Sequence, residues 1–323
     1  MVEVTVLGAI NWDINLFVGR FPQIGEEVPV KKITRVPGGK AANVAVAATR
    51  ILGPGCAAVI GCLGKDEIAE MQLKVFKKEG VVTSGVTLFE GEESGQAYIL
   101  IDENGRNVIN TFFGANHKLL PDVLNNPEIM NLLKESKVIT VVDPPIKTIR
   151  EVVTVGKEEG KTVVWDAGVR STLGINRLKE ILEKIDFLVI NEVEVKNLTG
   201  VHDPIGAFSI LHKVNENISL VAKLGNRGCV MVNSEEAVRC GSINLAKLGL
   251  KVVNTVGCGD AFLGAFIASK ARGFSDKEAL ERANLAGALK ATKPETRGSP
   301  FEDELNKYLE FTERGETIKQ FRG

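Results

Sequence analysis

The sequence has few of the residues on which metal sites, disulfide frameworks and many hydrolytic active sites depend. It contains five cysteines, no two of them in a CxxC pair, and three histidines, none paired at metal-ligand spacing. An odd and scattered set of cysteines predicts neither disulfides nor structural zinc, and it is typical of a reducing cytoplasm. The scarcity of histidine argues against zinc hydrolysis and a Ser-His-Asp triad. The sequence therefore predicts chemistry carried by carboxylates, backbone N–H groups and a bound ion.

A strong net charge and long apolar segments are also lacking. The 40 basic and 41 acidic residues leave a net charge of −1, which provides no overall field for attracting nucleic acid or anionic lipid. No apolar run reaches the roughly 18 residues that a membrane span needs. The first residues include Glu3 and no basic stretch, and they do not resemble a signal peptide. We therefore expect a cytoplasmic protein with no nucleic-acid or membrane partner.

The segments that are present alternate between strand-like and helix-like patterns. Near-continuous apolar runs at 2–10, 57–62, 138–142, 162–165, 187–190, 219–224 and 229–232 predict strands, and the segments 40–52, 65–78, 146–159, 193–198, 205–214, 260–271 and 277–292 predict helices. This pattern is typical of an α/β fold with a doubly wound, mostly parallel sheet covered on both faces. In residues 26–36 and 96–113, apolar residues are instead interspersed with polar and charged ones. This pattern predicts either a small β-sheet lid or edge strands of the main sheet. The polar tail from residue 312 is expected to fray.

The most informative motif is Asn254-Thr-Val-Gly257-Cys258-Gly259-Asp260. It leads from a short β-branched segment through two glycines into an Ala-rich helix, and the free N–H groups of such a helix start can hold a phosphate. Asp260 has two equally open uses. It either stabilises the helix N-terminus, or it accepts a proton from an attacking hydroxyl beside the phosphate.

Other polar motifs stand at predicted strand ends and helix starts. Gly38 and Gly39 open a helix on which Asn43 lies one turn in, and these residues form either a tight turn or a ligand contact. Asn11 and Asp13, two residues apart after the first strand, are either turn formers or sugar ligands on one side of the chain.

Two further motifs have a structural alternative. Asn191 and Glu194 either cap a helix or hold water around Mg²⁺. The segment from Lys223 to Gly228 separates two strands, and by itself it is compatible with a hairpin turn.

The order and spacing of these motifs resemble the ribokinase, or PfkB, family of carbohydrate kinases. The likeness covers roughly residues 2–312 and includes Gly105-Arg-Asn-Val-Ile-Asn110 with Gly114-Ala-Asn116. It implies one three-layer α/β domain over residues 1–323, with lid strands inserted at about 14–36 and 94–113. It also implies transfer of the γ-phosphoryl group of ATP, with Mg²⁺, to a sugar hydroxymethyl. The sequence itself leaves open whether ATP, ADP or another compound is the donor. Ribokinase-like lids often pair between subunits, so a homodimer through the lid is expected.

The resemblance also implies roles for residues at matching positions. Asp260 matches the catalytic base, and the N–H groups of Gly257, Cys258 and Gly259 match an anion hole. Matches to the acceptor site are Asn11, Asp13, Gly39, Lys40, Asn43, Asp143, Asp166 and Arg170. Matches to the nucleotide site are Asn191, Lys223, Gly225, Gly228 and Asn284, while Glu194 matches the group that organises metal-bound water.

The acceptor is left open by departures from ribokinase. Asp143 stands where ribokinase usually has Glu, and the segment Trp165–Arg170 looks more like the Asp…Arg of other members. Trp12, Phe112 and Phe113 either stack on a nucleobase or pack the lid. Lys32, Arg35, Arg106 and Arg170 form either a second phosphate site or scattered surface charge.

We predict a kinase of a free ribose-type sugar or of the ribosyl part of a nucleoside. The alternatives are a kinase of a sugar phosphate, such as ribose 1-phosphate or a fructose phosphate, and a non-catalytic sugar-binding regulator. The family commonly binds a monovalent cation through the first Asp of an Asp-Thr-x-Gly-x-Gly-Asp motif. This chain has Asn254 there, with Arg297 in a nearby loop, which predicts weak or absent activation by K⁺.

Overall fold

The computed structural model describes residues 1–312 and 314–320. Its strands in chain order are β1 (Val4–Gly8), β2 (Asn11–Val18), β3 (Val30–Gly38), β4 (Ala57–Gly64), β5 (Val82–Phe89), β6 (Gly95–Ile101), β7 (Asn107–Phe112), β8 (Val138–Val142), β9 (Thr162–Asp166), β10 (Phe187–Asn191), β11 (Ser219–Lys223), β12 (Cys229–Val232), β13 (Glu236–Cys240) and β14 (Glu316–Gln320). Its helices are α1 (Lys40–Leu52), α2 (Glu67–Glu79), α3 (Pro127–Glu135), α4 (Ile146–Glu158), α5 (Gly174–Leu182), α6 (Glu192–Thr199), α7 (Pro204–Leu211), α8 (Cys258–Ala271), α9 (Asp276–Ala291) and α10 (Glu302–Leu309).

The main sheet runs in the order β14-β13-β12-β11-β10-β9-β8-β1-β4-β5. Neighbouring strands from β11 to β5 pair in parallel, and β12, β13 and β14 extend the sheet by antiparallel pairs. Because the central strands are parallel, their carboxyl ends all meet at one edge of the sheet.

Each face of the main sheet packs on its own layer of helices. Successive side chains of a strand point to opposite faces. On β8, Val138 and Val142 join the core beneath α1, α2, α8, α9 and α10, while Ile139 and Val141 join the core beneath α3 to α7. The predicted three-layer, doubly wound α/β fold is therefore confirmed.

A second, smaller sheet has the order β3-β2-β6-β7. Its outer pairs are antiparallel, whereas β2 and β6 pair in parallel. The mixed pattern of residues 26–36 and 96–113 thus belongs to a separate sheet, which we call the lid, and the alternative of edge strands in the main sheet is wrong. The lid begins immediately after β1, because the chain passes from one sheet to the other at Ala9–Ile10.

Two local expectations differ from the structure. Asn11 and Asp13 lie inside β2 and pair with β3 and β6, so they are not turn residues. The tail from residue 312 does not simply fray, because β14 pairs with β13 at the edge of the main sheet. Residues 313 and 321–323 of that tail lie outside the described residues. In the described part of the chain, no helix combines the length and apolarity needed to cross a membrane.

Candidate active site

Two adjoining cavities open at the carboxyl edge of the main sheet. The larger, of about 570 Å³, is lined by residues at the ends of β8, β9, β10 and β11 and is covered by the lid. The smaller, of about 380 Å³, lies between the β11–β12 turn, the segment 242–258 and helices α8 and α9. Lys223, Gly225 and Gly259 line both cavities, so the two spaces meet at the N-terminus of α8.

The structure brings to one of these cavities every residue that the family resemblance matched to the catalytic, acceptor or nucleotide site. The larger one is lined by Asn11, Asp13, Gly39, Lys40, Asn43, Asp143, Asp166, Arg170, Asn191, Glu194, Lys223, Gly225, Gly257, Gly259 and Asp260. The smaller one adds Gly228, Cys258 and Asn284.

Helices α1 and α8 both begin at the larger cavity without a side-chain cap. Their N-cap residues are Gly39 and Gly257, each with a positive φ, 88° and 85°. A Cβ on Gly39 would overlap the backbone of Ala9 and Asn11, and one on Gly257 would overlap the carbonyl of Thr296. The N–H of Cys258 donates to the carbonyl of Thr255 at 3.3 Å. The other first N–H groups of both helices have no side-chain cap and favour an anion in the cavity.

Asp260 lies in the first turn of α8 and is held by the first turn of α1. Its Oδ2 accepts a hydrogen bond of 2.8 Å from Nδ2 of Asn43. Burial raises the pKa of the Asp260 carboxyl above its usual value, against the opposing effects of the Asn43 hydrogen bond and the Lys40 charge. The carboxylate is thus aimed by an amide into the cavity and is a stronger base than an exposed aspartate.

A buried arginine that the sequence reasoning did not place here supports Asn43. Arg297 donates from Nε to Oδ1 of Asn43 at 2.8 Å and from Nη2 to the carbonyl of Gly38 at 2.7 Å. Because its Oδ1 accepts from Arg297, the amide of Asn43 must present its NH₂ group to Asp260. In the sequence, Arg297 is only a charged residue in a loop, and its partner Asn43 is 254 residues away.

Asp13 projects from β2 into the larger cavity and is only 7% exposed. Burial raises the pKa of its carboxyl to about 6, although the charge of Arg297 lowers it, while Asp260 adds to the rise. A buried carboxylate with few protein partners is an acceptor site for ligand hydroxyls.

Lys40 and Lys223 share the carboxylate of Asp166 at the floor of the cavity. The ammonium of Lys40 lies 3.4 Å from Asp143 and 3.5 Å from Asp166, and Lys223 donates to Asp166 at 2.9 Å. Burial alone would raise the pKa of Asp166, yet the charges of Lys223 and Lys40 hold it below its usual value. Asp143 has a left-handed backbone with φ of 56°, a strained conformation for a residue other than glycine.

Asn191 and Glu194 form a capping box at the start of α6, so the structural reading of this motif holds. Glu194 Oε2 accepts from the Asn191 N–H, and Asn191 Oδ1 accepts from the Glu194 N–H, both at 2.9 Å. No group of three or more potential metal ligands occurs among residues 1–312 and 314–320. The second carboxylate oxygen of Glu194 takes no part in the capping box. A single available oxygen is compatible with a Mg²⁺ ion whose other ligands are phosphates and water.

Asn11 is fixed by a neighbour in the segment after the lid. Asn116 donates from Nδ2 to Oδ1 of Asn11 at 2.8 Å, and it also bonds both backbone groups of Ile10. Asn11 therefore has its amide NH₂ left for a ligand.

The aromatic residues of the lid separate into two groups. Trp12 and Phe112 lie on the face of the lid opposite the larger cavity, since Asn11 and Asp13 occupy the near face. Phe113 lines the cavity, together with apolar residues at Ile99, Ile109 and Val169. Stacking of a ligand on Trp12 or Phe112, as considered from the sequence, is therefore wrong, and Phe113 is the aromatic residue in position.

Arg170 is the one member of the proposed second phosphate cluster that reaches the larger cavity. Its Nη2 donates to the carbonyl of Pro144 at 3.2 Å, and its buried Nε has no partner among the described residues. Arg106 instead pairs with Asp102, and Lys32 lies over the ring of Phe17. Lys32, Arg35 and Arg106 therefore do not form a site with Arg170.

The smaller cavity has a mostly apolar lining with a few polar groups at one end. Ile243, Val252 and Phe262 supply apolar walls, and Asn284 donates from Nδ2 to the carbonyl of Gly241 at 2.8 Å. Such a cavity suits a flat heteroaromatic group whose polar end points toward Lys223 and the N-terminus of α8.

Known carbohydrate kinases are similar to this chain over most of its length. The family described as pfkB family carbohydrate kinase matches residues 1–303. A ribokinase of Dictyostelium discoideum is 29% identical, covering 94% of this chain and 99% of its own length. An ATP-dependent ribose-1-phosphate kinase of Halopiger xanaduensis is 28% identical, covering 96% of this chain and 98% of its own.

Among solved structures, the ribokinase of Arabidopsis thaliana, complexed with ribose and ATP, superposes with a TM-score of 0.86. It is 26% identical and covers 97% of this chain and 100% of its own.

Proposed function

The chain belongs to the pfkB family of carbohydrate kinases, phosphotransferases that act on an alcohol group, and from this premise we propose its acceptor. The acceptor is a free ribose-type sugar or the ribosyl part of a nucleoside, bound in the larger cavity, and its hydroxymethyl receives the γ-phosphoryl group of ATP bound in the smaller cavity. Membership of an enzyme family sets aside the alternative of a non-catalytic regulator.

The observation that supports this proposal most is the position of Asp260. It lines the larger cavity next to Gly259, which lines both cavities, and it lies in the first turn of a helix whose N-terminus has no side-chain cap. A hydroxyl in the larger cavity gives its proton to Asp260 as it attacks, and the N–H groups of Gly257, Cys258 and Gly259 stabilise the charge that develops on the phosphoryl oxygens. Mg²⁺ near Glu194 would neutralise charge on the phosphates of ATP.

The charge balance of the larger cavity favours an uncharged acceptor. Five carboxylates line it, Asp13, Asp143, Asp166, Glu194 and Asp260, against the three cations Lys40, Arg170 and Lys223. Lys40 and Lys223 already pair with carboxylates. Sugar hydroxyls donate readily to such carboxylates, whereas a phosphate on the acceptor would meet net repulsion.

One observation favours the second candidate, a sugar phosphate. Nε of Arg170 is buried and without a partner in the described part of the chain, and an arginine in this state is suited to a phosphate oxygen. A relative at 28% identity is named as a ribose-1-phosphate kinase. The acidic remainder of the cavity makes this the weaker proposal.

A panel of acceptors read by ADP release tests the proposal. Wild-type protein with ATP and Mg²⁺ is incubated with no acceptor, pentoses, nucleosides, ribose 1-phosphate or fructose phosphates. We expect the highest kcat/KM with a neutral ribosyl acceptor and little ADP release without one. The Arg170→Gln variant is the matched control, because it should impair a phosphorylated acceptor more than a neutral one. A preference for sugar phosphates that disappears in this variant would replace the first candidate by the second.

A further inference from the structure

Lys290 is a buried cation that the proposed reaction leaves without a role. It lies near the end of α9, and its side chain is among the largest that are fully buried, with 0% exposure. Lysine is almost never found in this state unless its ammonium is paired, because a charge loses its hydration on burial.

The partners of this ammonium are backbone carbonyls. Its Nζ donates to the carbonyl of Asn254 at 2.9 Å and to that of Lys293 at 3.4 Å. Within residues 1–312 and 314–320, no carboxylate lies within 4.0 Å of it, so it is not one half of an ion pair. Burial lowers the pKa of Lys290, while Cys258, Glu295 and Asp260 act on it from a greater distance.

The carbonyls belong to two segments that Lys290 ties together. One segment, 253–256, leads directly to Gly257 and the start of α8, and the other is the loop 292–299 that carries Arg297. The N–H groups of Val253 and Asn254 both donate to the carbonyl of Ala291. The side chain of Asn254 donates to the carbonyl of Pro294 at 2.7 Å and accepts from the N–H of Val256 at 3.0 Å.

The arrangement has the chemistry of a small cation site. Carbonyl oxygens that converge on one buried point create a negative potential, which needs either an ammonium or a dehydrated monovalent metal ion. The ammonium of Lys290 supplies this positive charge from within the chain. It contacts the segment that leads into α8, and the first turn of α8 contains Asp260.

We propose that the Lys290 ammonium is a built-in cation that positions the Gly257–Gly259 segment for phosphoryl transfer and makes a free monovalent metal ion unnecessary there. The role of Lys290 in phosphoryl transfer rests on the proposed function, whereas its role as a cation within the fold does not. It makes Lys290 a positioning residue, since its contacts are with the backbone next to the anion-binding segment.

The test uses three variants in salts of equal ionic strength. Lys290→Ala opens the site, Lys290→Met fills it without charge, and Lys270→Met is the matched control, because Lys270 is a half-buried lysine at the far end of α8, paired with Asp276. Each is assayed in tetramethylammonium, sodium, potassium and ammonium chloride, with kcat and acceptor KM measured separately. Thermal unfolding is recorded in the same salts without substrates.

We expect the wild type and Lys270→Met to be active in all four salts within about twofold. In tetramethylammonium, Lys290→Ala should lose about 10²-fold in kcat with little change in acceptor KM. Potassium or ammonium should restore it at least about tenfold and should raise its unfolding temperature, because these ions fit between the carbonyls. Lys290→Met should stay impaired in every salt, since its side chain occupies the space.

Two results would overturn the proposal. One is a many-fold loss of wild-type activity in tetramethylammonium, and the other is a Lys290→Ala variant that no ion rescues in rate or stability. If neither Lys290 variant folds, the wild-type comparison decides alone. If the wild type phosphorylates no acceptor, the proposed function fails, while ion-specific stabilisation of Lys290→Ala still supports the built-in cation.

Discussion

At the scale of single residues, the candidate base is defined by a relay of three side chains. Arg297 holds the Oδ1 of Asn43, and Asn43 holds Asp260, with both bonds at 2.8 Å. The carboxylate therefore has a fixed direction and a raised pKa before any ligand binds. This is the preorganisation that proton transfer from a substrate hydroxyl requires.

Replacing Asp260 by Asn tests the role of this residue. The amide has nearly the same shape but cannot accept the proton, so kcat should fall by about 10²–10⁴ while acceptor binding stays nearly unchanged. Steady-state kinetics and calorimetric binding of the acceptor provide the two readouts. Asp276→Asn, in the first turn of α9, is the control. Near-normal turnover in Asp260→Asn would exclude general-base catalysis by this residue.

The raised pKa of Asp13 predicts a pH dependence of stability. With a folded-state pKa of about 6 against an ordinary 3.8, the folded protein binds more protons between these values, so its unfolding free energy falls as pH rises through this window. Because the amide of Asn does not titrate, Asp13→Asn does not undergo this decrease in unfolding free energy. It should therefore gain up to about 3 kcal/mol relative to wild type between pH 4 and pH 7.

Denaturant unfolding across this pH range measures the difference for Asp13→Asn. The exposed Asp303→Asn variant serves as the control. If the difference in unfolding free energy between the wild type and Asp13→Asn stays constant as pH rises, burial does not raise the pKa of Asp13.

How far the site could be predicted depends on the separation of its residues in the chain. Asn11 with Asp13 and Gly257 with Asp260 stand close together in the sequence, so local pattern predicts that they face one cavity. Arg297 and Lys290 reach their partners across 254 and 36 residues, through contacts that only the folded chain forms. The catalytic and binding roles themselves remain predictions.

At the scale of elements, the crossing of α1 and α8 brings the two halves of the larger cavity together. α1 carries Lys40 and Asn43, and α8 carries Gly259 and Asp260. Gly264 lies at this crossing, where an added Cβ would overlap the Cβ of Ala47 and lie 3.0 Å from the backbone of Val44 and Ala48. The close approach of these helices depends on the absence of a side chain at this point.

Gly264→Ala should therefore separate the two helices. We expect a loss of about 1–3 kcal/mol in the unfolding free energy, despite the better helix propensity of alanine. Gly206→Ala in α7, where a Cβ meets only side-chain atoms at 3.2 Å or more, should be neutral or slightly stabilising. Chemical denaturation of both variants gives the comparison. Equal stability of the two would show that α1 and α8 can accommodate the added methyl group.

The elements themselves differed in how well the sequence predicted them. α1 was predicted with its bounds, because its apolar residues are continuous and two glycines precede it. β14 was not predicted, because all five of its residues are exposed and its mostly polar sequence is also typical of an unstructured tail. Its strand character comes from pairing with β13, which is a tertiary effect.

At the scale of the whole molecule, the lid leaves an apolar surface on the face opposite the larger cavity. Val108 and Phe112 are each 46% exposed there, and Tyr98 is 38% exposed. β3 and β7 are both open edges of this sheet. An exposed apolar sheet with free edges is suited to pairing with another copy.

We therefore expect a homodimer formed through the lid. Sedimentation velocity at about 1–50 µM should give twice the chain mass for wild type, and Val108→Glu should shift the protein to a monomer because it places a charge in the paired surface. Met71→Glu, at an exposed apolar position on α2, is the control and should leave the dimer intact. A wild-type monomer throughout this range would exclude the dimer.

We propose that the phosphoryl group passes to a hydroxymethyl at the junction of the two cavities. The most direct measurement is phosphorus–proton correlated NMR of the product that wild type forms from ATP and its best acceptor. We expect a phosphate coupled to the two protons of a primary carbon, and no such product from Asp260→Asn in the same time. A phosphate on the anomeric oxygen or on a ring hydroxyl, or inorganic phosphate alone, would contradict it.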